Sequence, residues 1–156
     1  MEFRVPRIED GSTLWRIARD SQVLDKNAPY TYLLWCRDFA QTSVAATVDG
    51  EVGGFVTGFL RPDRPDIVMV WQVAVDERHR GQRLARRMLE ALADRVGERS
   101  VRRMDTTITL DNEPSIRLFT SFAEARGAPI EREALFTAEM FPDGHEAEVL
   151  FRIGPW

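Results

Sequence analysis

The segment Asp76-Glu77-Arg78-His79-Arg80-Gly81-Gln82-Arg83-Leu84-Ala85 has the spacing of an anion-binding turn. It follows the apolar run Ile67 to Val75 and precedes a helical pattern reaching about Val96. A helix start offers backbone N–H groups without intrahelical partners, together with the positive end of the helix dipole. Phosphates bind there. Gly81 lacks a Cβ, so the main chain can approach a bulky ligand. Arg78, Arg80 and Arg83 add charge that a diphosphate can use. Taken alone, the string also fits a solvated turn with surface arginines.

Elements on either side must hold that turn. Ile67 to Val75, IVMVWQVAV, reads as a central strand buried on both faces. Leu84, Ala85, Met88, Leu89, Leu92 and Val96 recur at helical spacing, with Arg86, Arg87, Glu90 and Asp94 facing out. Upstream, Phe3 to Arg7 reads as a short strand, and a helix carrying Leu14, Trp15, Ile17 and Ala18 follows Asp10-Gly11-Ser12. Leu24 to Pro29 is a loop, and Tyr30 to Phe39 a second helix with Leu33, Leu34 and Phe39 as its apolar side. Thr42 to Val48 and Glu51 to Leu60 form a hairpin across Asp49-Gly50. Downstream come a strand over Met104 to Leu110 and a helix over Asn112 to Ala125, with Pro114 in its first turn. Two late strands are expected around Leu135 to Met140 and Glu148 to Ile153. The order β-α-α-β-β-β-α-β-α-β-β implies an α/β (α+β) fold, a mixed sheet flanked by helices in one domain over residues 1–156.

Composition narrows the function classes. The chain has 156 residues, 44% hydrophobic and 29% charged, enough for an ordinary globular core without a metal or disulfide staple. The net charge of −4 argues against a nucleic-acid partner. Lys26 is the only lysine among 21 basic residues. Cys36 is the only cysteine, which fits a reducing cytoplasm. It sits in the apolar stretch Tyr-Leu-Leu-Trp-Cys, where a small buried side chain is the default over a nucleophile. No run of about 18 apolar residues or signal-peptide pattern is present, so no membrane association is expected. Two histidines and one cysteine without ligand spacing make no metal site.

Val73-Ala74-Val75-Asp76, Arg78-His79-Arg80-Gly81 and Leu84-Ala85 resemble the acyl-CoA signature of the GNAT acyltransferase superfamily, Arg/Gln-x-x-Gly-x-Gly/Ala. Arg83 stands where that signature has a small residue. The resemblance implies a largely antiparallel sheet with splayed central strands, and acetyl-CoA as co-substrate. It assigns cofactor contacts to Val73, Val75, Arg80, Gly81, Gln82, Arg83, Leu84 and Ala85, and to Asn112, Ser115 and Phe119 on the next helix.

A longer match includes Leu24-Asp25 with Asn27, Tyr30-Thr31-Tyr32-Leu33-Leu34, Val70-Trp71-Gln72-Val73 and His145-Glu146 with Glu148-Val149-Leu150. Together these resemble the L-2,4-diaminobutyrate acetyltransferase family of ectoine biosynthesis, with its role in osmoprotection. The resemblance departs at Ala28-Pro29 and at Phe151. It implies a homodimer, substrate contacts from Asp25, Trp71, Tyr30, Tyr32, His145 and Glu148, and proton removal by Glu148 or His145. Each residue also has an ordinary alternative: a capping Asp25, a structural His145, a surface Glu148, a core Trp71. Phe119 occupies the region where many superfamily members carry a tyrosine acid, so no general acid is assigned. Two other functions stay open, a GNAT enzyme for another small amine and a non-catalytic CoA-binding module.

Overall fold

The computed structural model describes residues 1–156. Its strands are β1 (Glu2–Arg4), β2 (Val44–Val48), β3 (Glu51–Leu60), β4 (Ile67–Val75), β5 (Arg103–Ile108), β6 (Ile130–Phe136) and β7 (Glu148–Ile153). Its helices are α1 (Gly11–Asp20), α2 (Pro29–Asp38), α3 (Leu84–Gly97) and α4 (Glu113–Arg126). The strands form one sheet in the order β1-β2-β3-β4-β5-β7-β6. Only β4 and β5 pair in parallel; the other neighbours are antiparallel. The element order and the mixed, mostly antiparallel sheet are those expected. No helix is long and apolar enough to cross a membrane.

Two cores cover the two faces. One packs α3 and α4 on the sheet through Leu84, Met88, Leu92, Phe119 and Phe122, against Val56, Val70 and Phe151. Fully burying each such side chain contributes roughly 1.5–3 kcal/mol. The other packs α1 and α2 through Leu14, Ile17, Tyr32 and Cys36 against Phe55 and Ala74. The β2–β3 turn has Asp49 at φ 52 and Gly50 at φ 84. Two positive φ values in succession are what a tight type I′ hairpin needs, and Asp-Gly supplies them.

Four expectations need correction. β1 ends at Arg4 rather than Arg7, because Pro6 has no N–H to extend a ladder. In α2 the inward side is Tyr32 and Cys36, one turn apart, while Leu33 and Phe39 are exposed. The penultimate strand is Ile130–Phe136, and Ala138–Met140 is a 3₁₀ turn. That strand lies at the sheet edge with polar residues on view, so its place follows from pairing with β7 rather than from an apolar pattern. Finally, β4 is not buried throughout: Trp71, Val73 and Val75 are half-exposed, because the sheet opens beside them.

Candidate active site

The opening is visible in the strand register. β4 and β5 pair from Ile67↔Arg103 to Val70↔Thr106 and no further. Both strands continue, to Val75 and Ile108, so they part in the middle of the sheet. On its other edge β4 stays paired with β3 up to Gly54↔Val75. There Thr57 faces Gln72 and Gly58 faces Val70, which leaves Trp71 unmatched as a β-bulge. The extra residue changes which side of the sheet each later residue faces. Val68 and Val70 lie in the α3/α4 core, and Val73 and Val75 pack against that same core. Trp71 and Ala74 belong instead to the α1/α2 side.

A cavity of about 160 Å³ occupies the parting, lined by Asp25, Trp71, Gln72, Val73, Asn112, Ser115, Phe119, His145 and Glu148 among others. His145 Nε2 lies 3.7 Å from both Asp25 Oδ1 and Glu148 Oε1. Its Nδ1 is 2.6 Å from the Glu146 carbonyl oxygen. A carbonyl only accepts, so Nδ1 carries the hydrogen and Nε2 is the free base when the ring is neutral. That carbonyl contact, with the charges of Asp25, Glu148 and Asp143, holds the imidazole above its ordinary pKa of 6.5. The Phe141 ring lies against His145, 4.4 Å between centroids.

Glu148 opens β7 and is half-buried. Its Oε2 is fully buried with no hydrogen-bond partner. Burial pushes this carboxyl above the ordinary range, against the opposing pull of Thr107 and His145. Asp25, on the α1–α2 loop, is exposed at the cavity rim with its side chain 75% accessible. The Trp71 ring stacks on Trp35 at 4.5 Å and on Tyr32 at 6.1 Å. Tyr32 is fully buried and its hydroxyl donates to Gln72 Oε1 at 2.8 Å. So Tyr32 stands behind the cavity wall, and Tyr30 is exposed and lines no part of it. Cys36 lies in the α1/α2 core, where burial pushes its thiol up to about 11, the opposite of an activated nucleophile.

Beyond β4 the chain reaches the anion-binding turn. The backbone N–H groups from Gly81 to Arg86 donate to nothing in the chain; the next, from Arg87, closes on the Arg83 carbonyl at 3.1 Å. Gly81 has φ 81 and Arg83 has φ 56, so the turn twists through the left-handed region twice. The Arg83 side chain is exposed. Leu84 is buried and anchors the helix, with Ala85 half-buried beside it. Arg78 is not free for a ligand: it pairs with Asp76, which also takes Arg16 at 3.0 Å. Arg78 holds the Asp76 carboxyl well below the usual range. Arg80 and Arg83 make no ion pair. On the far side of the opening Asn112 caps α4 by accepting the Ser115 N–H at 3.2 Å. Phe119 is buried and carries no acid group. Sequence reasoning passed over Gln72, whose signal was a polar residue inside the run IVMVWQVAV.

A parted sheet, a turn of free amides and an acid–base cluster between them define an acyl-CoA-dependent transferase site. Residues 11–123 match the Acetyltransferase (GNAT) family, and the chain belongs to that family. L-2,4-diaminobutyric acid acetyltransferase of Streptomyces coelicolor is 60% identical over 153 residues, covering 96% of this chain and 90% of that protein. The enzyme of that name from Marinococcus halophilus is 43% identical, covering 99% and 90%. Diaminobutyrate acetyltransferase EctA from Paenibacillus lautus, solved with its substrate L-2,4-diaminobutyric acid and coenzyme A, superposes with TM-score 0.93 at 40% identity, covering 99% of this chain and 94% of that one. Ard1 from Thermoplasma volcanium shares the fold, with TM-score 0.79 at 22% identity, covering 97% and 96%. These likenesses accord with the resemblance read from the sequence.

Proposed function

We infer that the protein transfers the acetyl group of acetyl-CoA to the terminal amine of L-2,4-diaminobutyrate, giving N4-acetyl-L-2,4-diaminobutyrate, a step toward ectoine and osmoprotection. One observation carries this: Asp25 meets His145 and Glu148, which lie 120 or more positions further along the chain, at one cavity where the sheet parts. The diaminobutyrate acetyltransferases related to it across nearly the whole chain support the same reading.

The free amides from Gly81 to Arg86 suit a diphosphate. The edge of β4 that leaves β5 near Val73 and Val75 offers main-chain groups to the pantetheine arm and thioester. Acetyl-CoA supplies the activated acyl group; the chain supplies position and proton removal. An alkyl ammonium has a pKa of about 10.4, so freeing the amine at pH 7 costs roughly 4–5 kcal/mol. Asp25 holds the α-ammonium while Glu148 and His145 draw the proton from the terminal one. The neutral amine then attacks the thioester carbonyl; the C–S bond breaks, coenzyme A leaves as its thiolate, and the proton that the nitrogen gives up in becoming an amide restores the thiol. Asn112, Ser115 and Phe119 flank the cofactor arm. The whole chain acts as one N-acetyltransferase unit. The exposed apolar Leu110, Phe136 and Met140 accord with a homodimer. The single buried thiol accords with a cytoplasmic location.

The test is thiol release from acetyl-CoA with diaminobutyrate, with ornithine and lysine as comparison amines, and location of the acetyl group by NMR. Acetylation at the terminal amine is expected; no thiol release, or acetyl on the α-amine, overturns the reading. A protonated imidazole cannot take the amine proton. The His145 pKa is raised, so kcat/KM should fall as pH drops through a value above 6.5. A pH profile flat across that region removes His145 from the proton path.

A further inference from the structure

We propose that Gln72 is a specificity residue: its side-chain NH₂ donates to the carboxylate of the amino-acid substrate. The proposal rests on the function inferred above.

A zwitterionic diamine brings a carboxylate as well as two amines. The cavity lining has acids in Asp25 and Glu148 and no arginine or lysine. The carboxylate therefore has to be met by neutral donors or by His145. Among the neutral groups, the Thr106 hydroxyl is already spent on the Val70 carbonyl at 3.2 Å. Asn112 and Ser115 lie at the start of α4, on the side assigned above to the cofactor arm, with Asn112 Oδ1 accepting the Ser115 N–H.

Gln72 is different. It is 95% buried yet lines the cavity. Its Oε1 accepts the Tyr32 hydroxyl at 2.8 Å. A phenol hydroxyl donating to Oε1 holds the amide with its oxygen toward Tyr32 and its NH₂ turned away. Its NH₂ then has no acceptor in the chain. The NH₂ is open to the cavity rather than sealed in the core, since Glu148 Oε2 is the one buried side-chain polar atom without a partner. A carboxylate arriving there gains a charge-assisted hydrogen bond, and an amine without one does not. A neutral amide also leaves the charge of Asp25 and Glu148 undiminished for the ammonium groups. The bulge at Trp71 is what turns Gln72 toward Tyr32.

The experiment measures dissociation constants by calorimetry, with coenzyme A present, for diaminobutyrate and for 1,3-diaminopropane, the same diamine without the carboxylate. Gln72→Leu is expected to weaken diaminobutyrate about tenfold and leave diaminopropane and coenzyme A nearly unchanged. Gln72→Glu should weaken diaminobutyrate further by placing a carboxylate against a carboxylate. Tyr32→Phe, which keeps the ring and releases the amide, should cut the preference for diaminobutyrate roughly threefold. It also carries the test if thermal melts show that the Gln72 variants do not fold. Equal losses on both diamines, or an unchanged preference in a folded variant, overturn the assignment. Failure of the unsubstituted protein to bind diaminobutyrate overturns the function itself, a separate result.

Discussion

The amides of Gly81 to Arg86 and the acid cluster around His145 lie along the same parted strand but are made of different materials. The turn is contiguous, and the groups proposed to hold the diphosphate are main-chain N–H, which every residue but proline provides. On that reading its side chains are free to vary, which accords with Arg83 in a small-residue position. The cavity proposed to take the amine is lined by side chains on the α1–α2 loop, β4, the strap before β7, and β7 itself. There, one substitution is expected to remove one function. Backbone sites tolerate sequence change and resist conformational change; side-chain sites do the reverse.

Substitutions can break or sharpen this contrast. Glu148→Gln keeps the shape and removes the base, so kcat should fall about 10²–10³-fold with acetyl-CoA affinity unchanged, read by steady-state kinetics and calorimetry. A kcat within tenfold of the parent would take Glu148 out of proton removal. Asp25→Ala should raise KM for diaminobutyrate about tenfold and leave the acetyl-CoA constant alone; an exposed rim position keeps the effect below that of a buried charge. Gly81→Val forces a β-branched residue to φ 81. That costs roughly 1–2 kcal/mol in the turn, so acetyl-CoA should bind about tenfold more weakly, while the diaminobutyrate constant holds. Smallest is Arg83→Gly, which relieves a non-glycine residue at φ 56. Thermal melts should show a gain of up to about 1 kcal/mol, and acetyl-CoA affinity should move less than threefold. A large loss there would mean the guanidinium, not the main chain, holds the diphosphate.

The same contrast explains what the sequence discloses. The anion turn is readable because strand, glycine and helix stripe are adjacent in the chain. The α3 stripe of Leu84, Met88, Leu89, Leu92 and Val96 is buried as its spacing implies. Asp25, His145 and Glu148 are unremarkable in isolation; only the resemblance gathered them, since their meeting depends on how β7 inserts between β5 and β6. The inward face of α2 went to Tyr32 and Cys36 because Tyr32 also reaches Gln72, a contact across 40 positions that local hydrophobicity does not encode. Edge strand β6 was displaced in the reading because Ile130-Glu131-Arg132-Glu133 has no apolar periodicity to mark it. Arg78 looked available in the string and is not, since Asp76 claims it only once the turn folds.

The unmatched Trp71 has a consequence for how such a chain can change over time. Removing Trp71 would set Gly58↔Val70 directly beside Thr57↔Gln72 in a regular ladder, with Val73, Ala74 and Val75 on the faces they hold now and the aromatic wall of the cavity lost. A one-residue deletion at the bulge is thus open to natural variation, beside point replacement, as a route to altered amine preference that leaves the core pattern in place. Other length changes belong in residues 61–66 between β3 and β4, which line no part of the cavity.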